Sequence, residues 1–227
     1  LLSKLVDQKY DISNENFSFM ACMELTICGG IPARLFRISF SGELAYELAV
    51  PRSYGDSLIR ALMDAGTEFN VVPYGTEALG VMRIEKGHPA GNELNGQMTA
   101  QNLNMKHIIS KKNDCVGNAM SEREEFNNAE GLRLVGFKPV DQSQTLEAGA
   151  HFFSKGEIFN SENDQGWMTS VAFSPSLNHY IGLGYIKNGL ERFGEHVISV
   201  NLLKNQVFEV EILSPHFLDP KGERVRG

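Results

Sequence analysis

Short stretches of alternating apolar and polar residues fill the last third of the chain, and turn residues separate them. The turns lie at Gly149, Lys155-Gly156, Asn188-Gly189 and Lys204-Asn205. A period of two predicts a β-strand with one buried face. The predicted strands cover residues 132–137, 151–153, 157–159, 167–173, 180–186, 196–200 and 206–213. Short strands at this spacing predict a small antiparallel barrel or sandwich over residues 131–227.

In the first half of the chain, some segments have apolar residues at the strand period of two and others at helical spacing. This combination predicts an α+β domain over residues 1–112. A strand over residues 33–40 is expected to pair with the following strand across the turn at Ser41-Gly42. In the second strand Glu47 alternates with its neighbours, so its carboxylate is expected on the face opposite Tyr46 and Leu48. A solvent-facing glutamate is the simplest interpretation of that position.

Two helices are predicted after this strand pair. The first begins after Ser53 and ends at Gly66, and the second covers residues 76–86 with Gly87 just after its end. One face of the second helix combines apolar and cationic side chains, namely Leu79, Met82, Arg83 and Lys86. Arg83 therefore has two open roles, a ligand contact or an ion pair with a carboxylate. The candidate carboxylates are Glu43, Glu77 and Glu85.

The remaining segments of the first half carry weaker patterns. Residues 1–11 have helical spacing of leucines and predict the end of a helix, and residues 105–110 predict a strand. The Gly- and Asn-rich segment 88–101 is a long loop, which favours a functional role over a tight connection. The polar, acidic segment 113–130 predicts a linker or short helix between the two domains.

Composition excludes several classes of protein. The chain has 227 residues, of which 42% are hydrophobic, and a net charge of −7. Nucleic-acid binding is disfavoured, because a phosphate backbone requires clustered basic residues and the basic doublet here is Lys111-Lys112 alone. No apolar run is long enough to predict a membrane span. The start of the chain, apolar and without Met, suggests a fragment or a processed piece.

No motif of a common cofactor or metal site is present. The sequence has no Gly-x-Gly-x-x-Gly after a strand, no phosphate-binding loop and no His-Glu-x-x-His, and its six histidines are scattered. No nucleophile elbow supports Ser-His-Asp catalysis. The three cysteines, Cys22, Cys28 and Cys115, form no Cys-x-x-Cys pair and suit a reducing, cytoplasmic setting. No metal site is therefore predicted.

Several pieces in order resemble the glycine-cleavage T-protein family of folate-dependent aminomethyl carriers. Residues 39–48, Ser-Phe-Ser-Gly-Glu-Leu-Ala-Tyr-Glu-Leu, resemble the family's Gly-Tyr-Thr-Gly-Glu-Asp-Gly-Phe-Glu-Ile. Residues 78–87, Ala-Leu-Gly-Val-Met-Arg-Ile-Glu-Lys-Gly, resemble Ala-Arg-Asp-Ser-Leu-Arg-Leu-Glu-Ala-Gly. In the C-terminal third, residues 166–177 and 217–220 are similar to two segments of the family's barrel domain. The closer resemblance is to the branch fused into the alpha subunit of heterotetrameric sarcosine oxidase.

This resemblance implies a fold and a site. The fold is the second half of a folate-binding domain (residues 1–112), a linker (113–130) and the family's C-terminal β-barrel (131–227). Glu47 occupies the position of the family glutamate that holds the pterin, and Phe40 that of a tyrosine near the folate. Arg83 matches a family arginine. Leu79 replaces another family arginine, so this position cannot pair with a folate glutamate tail.

The resemblance also implies a reaction and its participants. Tetrahydrofolate would capture the one-carbon unit of oxidised sarcosine as 5,10-methylenetetrahydrofolate, while flavin and NAD would lie elsewhere in an enzyme with other subunits. The family's catalytic aspartate would lie upstream of Leu1, so no catalytic residue is expected in this chain, which alone is expected to be inactive. Two alternatives stay open: a stand-alone aminomethyltransferase or dimethylglycine-type enzyme, and a non-catalytic module for subunit assembly.

Overall fold

A computed structural model describes residues 1–109, 116–128 and 130–227 of the chain. They form two compact units, one of residues 1–79 and 221–227, the other of residues 80–220. The predicted domain boundaries at 112/113 and 130/131 stay a prediction. Cys115, Lys111-Lys112 and part of the predicted linker lie outside the described residues.

A three-stranded antiparallel sheet forms the centre of the first unit. Its strands are β1 (Cys22–Ile27), β2 (Ile31–Phe36) and β3 (Glu47–Ala49), in that order across the sheet. Alternate residues of β1 and β2 point into one core because successive side chains of a strand lie on opposite faces. That core comprises Val6, Phe17, Leu25, Ile27, Ala33 and Leu35, all buried.

The pairing of the predicted strands is confirmed, but their bounds differ. Leu35 pairs with Leu48 and Phe36 with Glu47, so β2 and β3 are antiparallel neighbours. The strand predicted over residues 33–40 ends at Phe36. The Arg37 amide still donates to the Ala21 carbonyl in register with β1, but the Ala21 amide donates to the Ser18 carbonyl instead of back to Arg37, so the ladder stops there. The connection to β3 is therefore longer than the expected tight turn.

The helix predicted over residues 1–11 is wrong. A 3₁₀ helix covers Leu2–Lys4, and Val6 then forms an isolated bridge with Ile27 at the end of β1. The Asp7 carboxylate accepts hydrogen bonds from the Thr26 hydroxyl and the Gly29 amide, which lower the pKa of Asp7. The contacts of Val6 and Asp7 with the end of β1 and the turn after it therefore determine the backbone conformation here, and the helix predicted from the leucine spacing does not form.

Both predicted helices of the first half are confirmed. Helix α1 covers Gly55–Gly66, and helix α2 covers Thr76–Lys86. Gly87 has a φ of +78°, and a Cβ there would lie 2.4 Å from the Pro215 carbonyl oxygen. Glycine thus serves both as the left-handed residue after the helix and as the point of closest approach to residue 215. Short 3₁₀ helices cover Arg52–Tyr54, Thr67–Phe69, Gly91–Glu93, Lys106–Ile108 and Gly189–Glu191.

A closed antiparallel barrel forms most of the second unit. Its strands are β4 (Leu132–Pro139), β5 (His151–Phe153), β6 (Gly166–Ser174), β7 (His179–Lys187), β8 (His196–Asn201) and β9 (Gln206–Leu213). They close in the order β4-β7-β6-β5-β8-β9. Phe137 and Phe152 stack in the core with ring centroids 4.1 Å apart. The predicted fold class, an α+β domain with an antiparallel sheet followed by a small antiparallel β-barrel, is confirmed.

Two strand predictions are wrong. Residues 157–159 form no strand and are an exposed, irregular part of the loop between β5 and β6. Residues 106–108 form the 3₁₀ helix named above instead of a strand. Within the predicted linker, α3 covers Asn118–Ser121 and α4 covers Glu124–Asn127, while α5 covers Glu223–Arg226 near the end of the chain.

Asn102 hydrogen-bonds to the part of β4 that has a neighbouring strand on one side only. The Asn102 side-chain amide donates to the Leu132 carbonyl (2.9 Å), and the Leu134 amide donates to the Asn102 carbonyl (2.8 Å). The Asn102 side-chain oxygen also accepts the amide and hydroxyl of Thr99. These bonds give partners to backbone N–H and C=O groups of β4 that would otherwise be unpaired at the strand edge.

We expect Asn102→Ala to lower the free energy of unfolding by about 1.5 kcal/mol, because the amide and hydroxyl of Thr99 lose their acceptor. The Leu132 carbonyl loses one of its two donors and keeps the other, Arg133 Nη1. Urea denaturation followed by the fluorescence of Trp167 in β6 measures this effect. Asn95→Ala is the matched control, since its side chain makes exposed local bonds only. Equal denaturation midpoints for the two variants would contradict the edge-covering role.

Candidate functional site

Glu47 begins β3 and presents its carboxylate to solvent. Tyr46 and Leu48, on either side of it, are half-buried and pack against the sheet core, as the alternation predicted. Among the described residues, none forms a hydrogen bond or ion pair with the Glu47 carboxylate. This carboxylate is therefore available to accept two N–H donors from a ligand.

Phe40 lies in the connection between β2 and β3 and exposes part of its ring. The turn that follows is shaped by Gly42, which has a φ of +87° and donates its amide to the Ser39 hydroxyl at 3.0 Å. Next to it, Glu43 pairs with Arg224 at 2.7 Å, and both side chains are about half exposed. Glu43 thus has a partner within its own unit. Phe40 is 40% exposed.

Arg83 lies in the second unit and forms a largely buried ion pair. Its Nη1 donates to Glu93 Oε2 at 2.9 Å and its Nη2 to the Ser170 hydroxyl at 2.7 Å. Nη1 also donates to the His88 carbonyl at 3.3 Å. The ion pair predicted as one role of Arg83 therefore exists, but its partner is Glu93, and the three candidate carboxylates were wrong.

Glu93 is the centre of a buried polar cluster that sequence reasoning missed. Its side chain is completely buried, and it accepts hydrogen bonds from Thr169, Ser170 and the Ala90 amide besides Arg83. The carboxylate thus has four donors, which together with the positive charge offset the cost of burying it. The sequence contained one signal, an acidic residue inside the Gly- and Asn-rich segment 88–101.

The cluster attaches the loop after α2 to the barrel strands. The Tyr185 hydroxyl donates to the Glu93 carbonyl at 2.7 Å, and the Asn92 side chain donates to the Thr169 carbonyl at 3.2 Å. Burial, and then the charge of Glu93, raise the pKa of Tyr185 well above its usual value, so this phenol remains a donor at any physiological pH. The neutral Tyr185 hydroxyl and the Arg83–Glu93 ion pair therefore both hold the loop against the barrel.

A second buried pair fixes the end of α2. Lys86 Nζ donates to the carboxylate of Asp219 at 2.9 Å and to its carbonyl oxygen at 2.6 Å. One residue earlier in α2, the Glu85 carboxylate accepts a hydrogen bond from the Ser174 hydroxyl. Lys86, which was predicted on the apolar face of α2, thus stabilises the segment that contains Asp219.

Comparison with known protein families gives a consistent identification. The family model described as the GCVT N-terminal domain matches residues 1–113, and the model described as the glycine cleavage T-protein C-terminal barrel domain matches residues 133–219. The chain belongs to the glycine cleavage T-protein family. The second match coincides with the closed barrel of the structure, which runs from β4 to the segment after β9.

Relatives of known name fall into three groups. The chain is 43% identical over 227 residues to the sarcosine oxidase subunit alpha of Rhizobium meliloti, covering 99% of this chain and 23% of that protein. It is 27% identical to an aminomethyltransferase of Thermoanaerobacter (96% of this chain, 56% of that protein). It is 28% identical to the mouse mitochondrial dimethylglycine dehydrogenase (90% and 23%). The chain therefore spans less than a quarter of the sarcosine oxidase subunit it resembles.

A solved structure shows the same fold. The glycine cleavage system aminomethyltransferase T from Bartonella henselae matches with a TM-score of 0.63 and 21% identity, covering 82% of this chain and 50% of that one. In the described part of the chain, no helix is long and apolar enough to cross a membrane. The same residues contain no group of three or more metal-ligating side chains.

Proposed function

We propose that this chain is the folate-binding C-terminal part of a sarcosine oxidase alpha subunit. The observation that carries the proposal is the exposed carboxylate of Glu47, which has no partner among the described residues, at the motif position of the family's pterin-holding glutamate. The identity to sarcosine oxidase alpha subunits, 43% and 39%, favours this branch over the aminomethyltransferases at 27%. Other subunits as partners and a cytoplasmic location belong to the same proposal.

The described residues fit a pterin in two respects. A pterin presents a ring N–H beside an amino group, and a carboxylate accepts both in a bidentate, charge-assisted pair. The exposed ring of Phe40 offers an aromatic surface for packing but no hydroxyl. Leu79 brings no cation for a glutamate tail. The proposal therefore assigns recognition to the pterin end of the ligand.

The proposed role of this chain is to bind and orient. Bound tetrahydrofolate would supply the nitrogens that take up the one-carbon unit of oxidised sarcosine, with 5,10-methylenetetrahydrofolate and glycine as products. Glu47 would fix the pterin in position, and Phe40 would limit its movement. Three N–H groups of Arg83 already serve Glu93, Ser170 and the His88 carbonyl. We propose that Arg83 contacts folate through its remaining donors.

The proposal is tested by titrating tetrahydrofolate into the full-length native protein by calorimetry, combined with a single-turnover assay for 5,10-methylenetetrahydrofolate. We expect one tetrahydrofolate bound per chain and product formation that depends on sarcosine. The absence of detectable binding by an intact assembly would contradict the proposal and favour the alternative of a non-catalytic assembly module. Product formed from an aminomethyl carrier in place of sarcosine would favour the aminomethyltransferase alternative.

A further inference from the structure

A hollow of about 380 Å³ opens on the barrel beside β5 and β8. We call it the β5–β8 hollow; its lining includes His151, Phe153, Phe159, Asp164, Val200 and Leu203. Phe153 and Phe159 contact each other at a centroid distance of 5.0 Å and form an aromatic wall. Concave sites with apolar walls and a few polar groups are typical of binding sites. The proposed folate residues are not among those that line it.

The polar lining of the hollow includes a histidine–aspartate pair, besides Asn160, Ser161 and Asn201. His151 Nδ1 lies 2.7 Å from Asp164 Oδ2, and the other oxygen of Asp164 accepts the Gly166 amide at 3.0 Å. The carboxylate holds the proton on Nδ1, which leaves Nε2 of the neutral ring as an acceptor. Among the described residues, none forms a hydrogen bond with Nε2. A ligand with an O–H or N–H donor at its polar tip fits this group.

Exposed apolar side chains continue the surface of the hollow beyond the cavity. Leu203, at the tip of the β8–β9 hairpin, is completely exposed, and its neighbour Leu202 is 73% exposed. Across the hollow, Ile158 next to Phe159 is 74% exposed. A small molecule in the hollow would not cover these side chains, whereas a protein surface would. Clustered exposed apolar groups of this kind mark protein interaction sites.

The charges near the hollow indicate the chemistry of the partner. Two lysines in this region are neutralised, because Lys155 pairs with Glu209 and Lys204 with Glu147. A third, Lys187, donates to the backbone carbonyl of Asp164 and offsets the charge of that residue. The exposed carboxylates of Glu157 and Glu162, in the loop that contains Phe159, form no ion pair within the described chain. The local excess charge is therefore negative, which complements basic side chains.

We propose that the β5–β8 hollow receives a tyrosine or tryptophan side chain from a segment of another protein chain that carries lysine or arginine beside it. The aromatic ring packs against Phe153 and Phe159, and its O–H or N–H donates to His151 Nε2. The basic neighbours face Glu157 and Glu162. Aromatic anchors with a polar tip are frequent at the energetic centres of interfaces. The inference rests on the proposed function in one respect only, namely that the partner chain is another subunit of the proposed enzyme.

A photo-crosslinker tests the identity of the occupant. With p-benzoylphenylalanine at position 203 of the full-length protein in its native assembly, we expect one main adduct after irradiation. Mass spectrometry should place it on a segment with a tyrosine or tryptophan and a nearby basic residue. No adduct, or an adduct on a segment without these residues, would overturn the proposal. A small molecule that occupies the hollow in the purified assembly would overturn it as well.

A charge substitution provides the quantitative test. Leu203→Lys places a cation against the basic partner segment and is expected to weaken binding of the partner chain at least tenfold. Leu190→Lys is the matched control, because Leu190 is also an exposed leucine on the barrel but does not line the hollow. Unchanged assembly by Leu203→Lys would contradict the inference. Tetrahydrofolate titration of the same samples separates this result from a failure of the proposed function.

Discussion

Replacing Glu93 by alanine is expected to lower the free energy of unfolding of the second unit by about 3–5 kcal/mol. The carboxylate is fully buried and receives donors from Arg83, Thr169 and Ser170. Its removal leaves a cation that is 12% exposed without its partner, and two buried hydroxyls lose an acceptor. The dominant cost is therefore the isolated buried charge rather than the lost attraction.

Denaturation of the chain in urea, followed by Trp167 fluorescence, measures the effect of Glu93→Ala. Asp56→Ala is the control, since it removes the exposed pair with Arg60 and is expected to cost about 0.5 kcal/mol at most. The double variant Glu93→Leu/Arg83→Met should be less destabilised than the sum of the single ones, because no charge is left unpaired. A loss below about 1 kcal/mol for Glu93→Ala would contradict the structural role of the cluster.

The second large effect is expected at Glu47, in binding rather than in stability. Glu47→Ala should weaken tetrahydrofolate binding to the full-length protein by about 2 kcal/mol or more, which is a factor of about 30. The physical reason is that two N–H donors of the pterin lose a charged acceptor. The side chain has no partner in the described chain, so the variant is expected to fold normally.

Controls distinguish a direct contact of Glu47 from a general charge effect. Glu47→Gln keeps the shape but offers one acceptor and adds a donor where acceptors are needed, so it should also weaken binding. Glu24→Ala removes an equal charge from the exposed face of β1 in the same sheet and should leave the dissociation constant within twofold. Equal losses at Glu24 and Glu47 would point to long-range electrostatics.

Much of the barrel was predictable because turn residues separate its short apolar segments, although β4 and β7 are buried along most of their length rather than on one face. Residues 206–213 and 151–153 were predicted with the bounds that the structure has. Residues 157–159 were predicted as a strand but form an exposed, irregular part of a loop, because a three-residue pattern does not distinguish a strand from a loop that happens to contain hydrophobic residues. The confirmed strand at residues 151–153 is equally short, so the sequence pattern alone did not separate it from the wrong prediction.

The polar cluster of the second unit was less predictable. Arg83 was recognised as a cation on an apolar face, but its partner lies ten residues later, and Ser170 lies 87 residues away. Helical spacing identifies neighbours within one helix only. Contacts that depend on how a loop packs against a barrel require the tertiary structure, so Glu93 could be noted as an acidic loop residue but not assigned a role.

The candidate folate residues are a case in which sequence pattern and local geometry agree. Alternation placed Glu47 on the face opposite Leu48, and the structure exposes Glu47 while Leu48 packs on the core. Pattern alone could not distinguish a ligand-binding carboxylate from a solvated one. The role therefore rests on the family motif, and its ligand contacts stay a prediction.

The most direct measurement is a structure of the full-length assembly with tetrahydrofolate bound. The proposal predicts both Glu47 carboxylate oxygens within about 3.2 Å of the pterin ring nitrogen and its amino group, with the Phe40 ring against the pterin. A bound folate whose pterin has other partners, with the Glu47 carboxylate left in solvent, would contradict it.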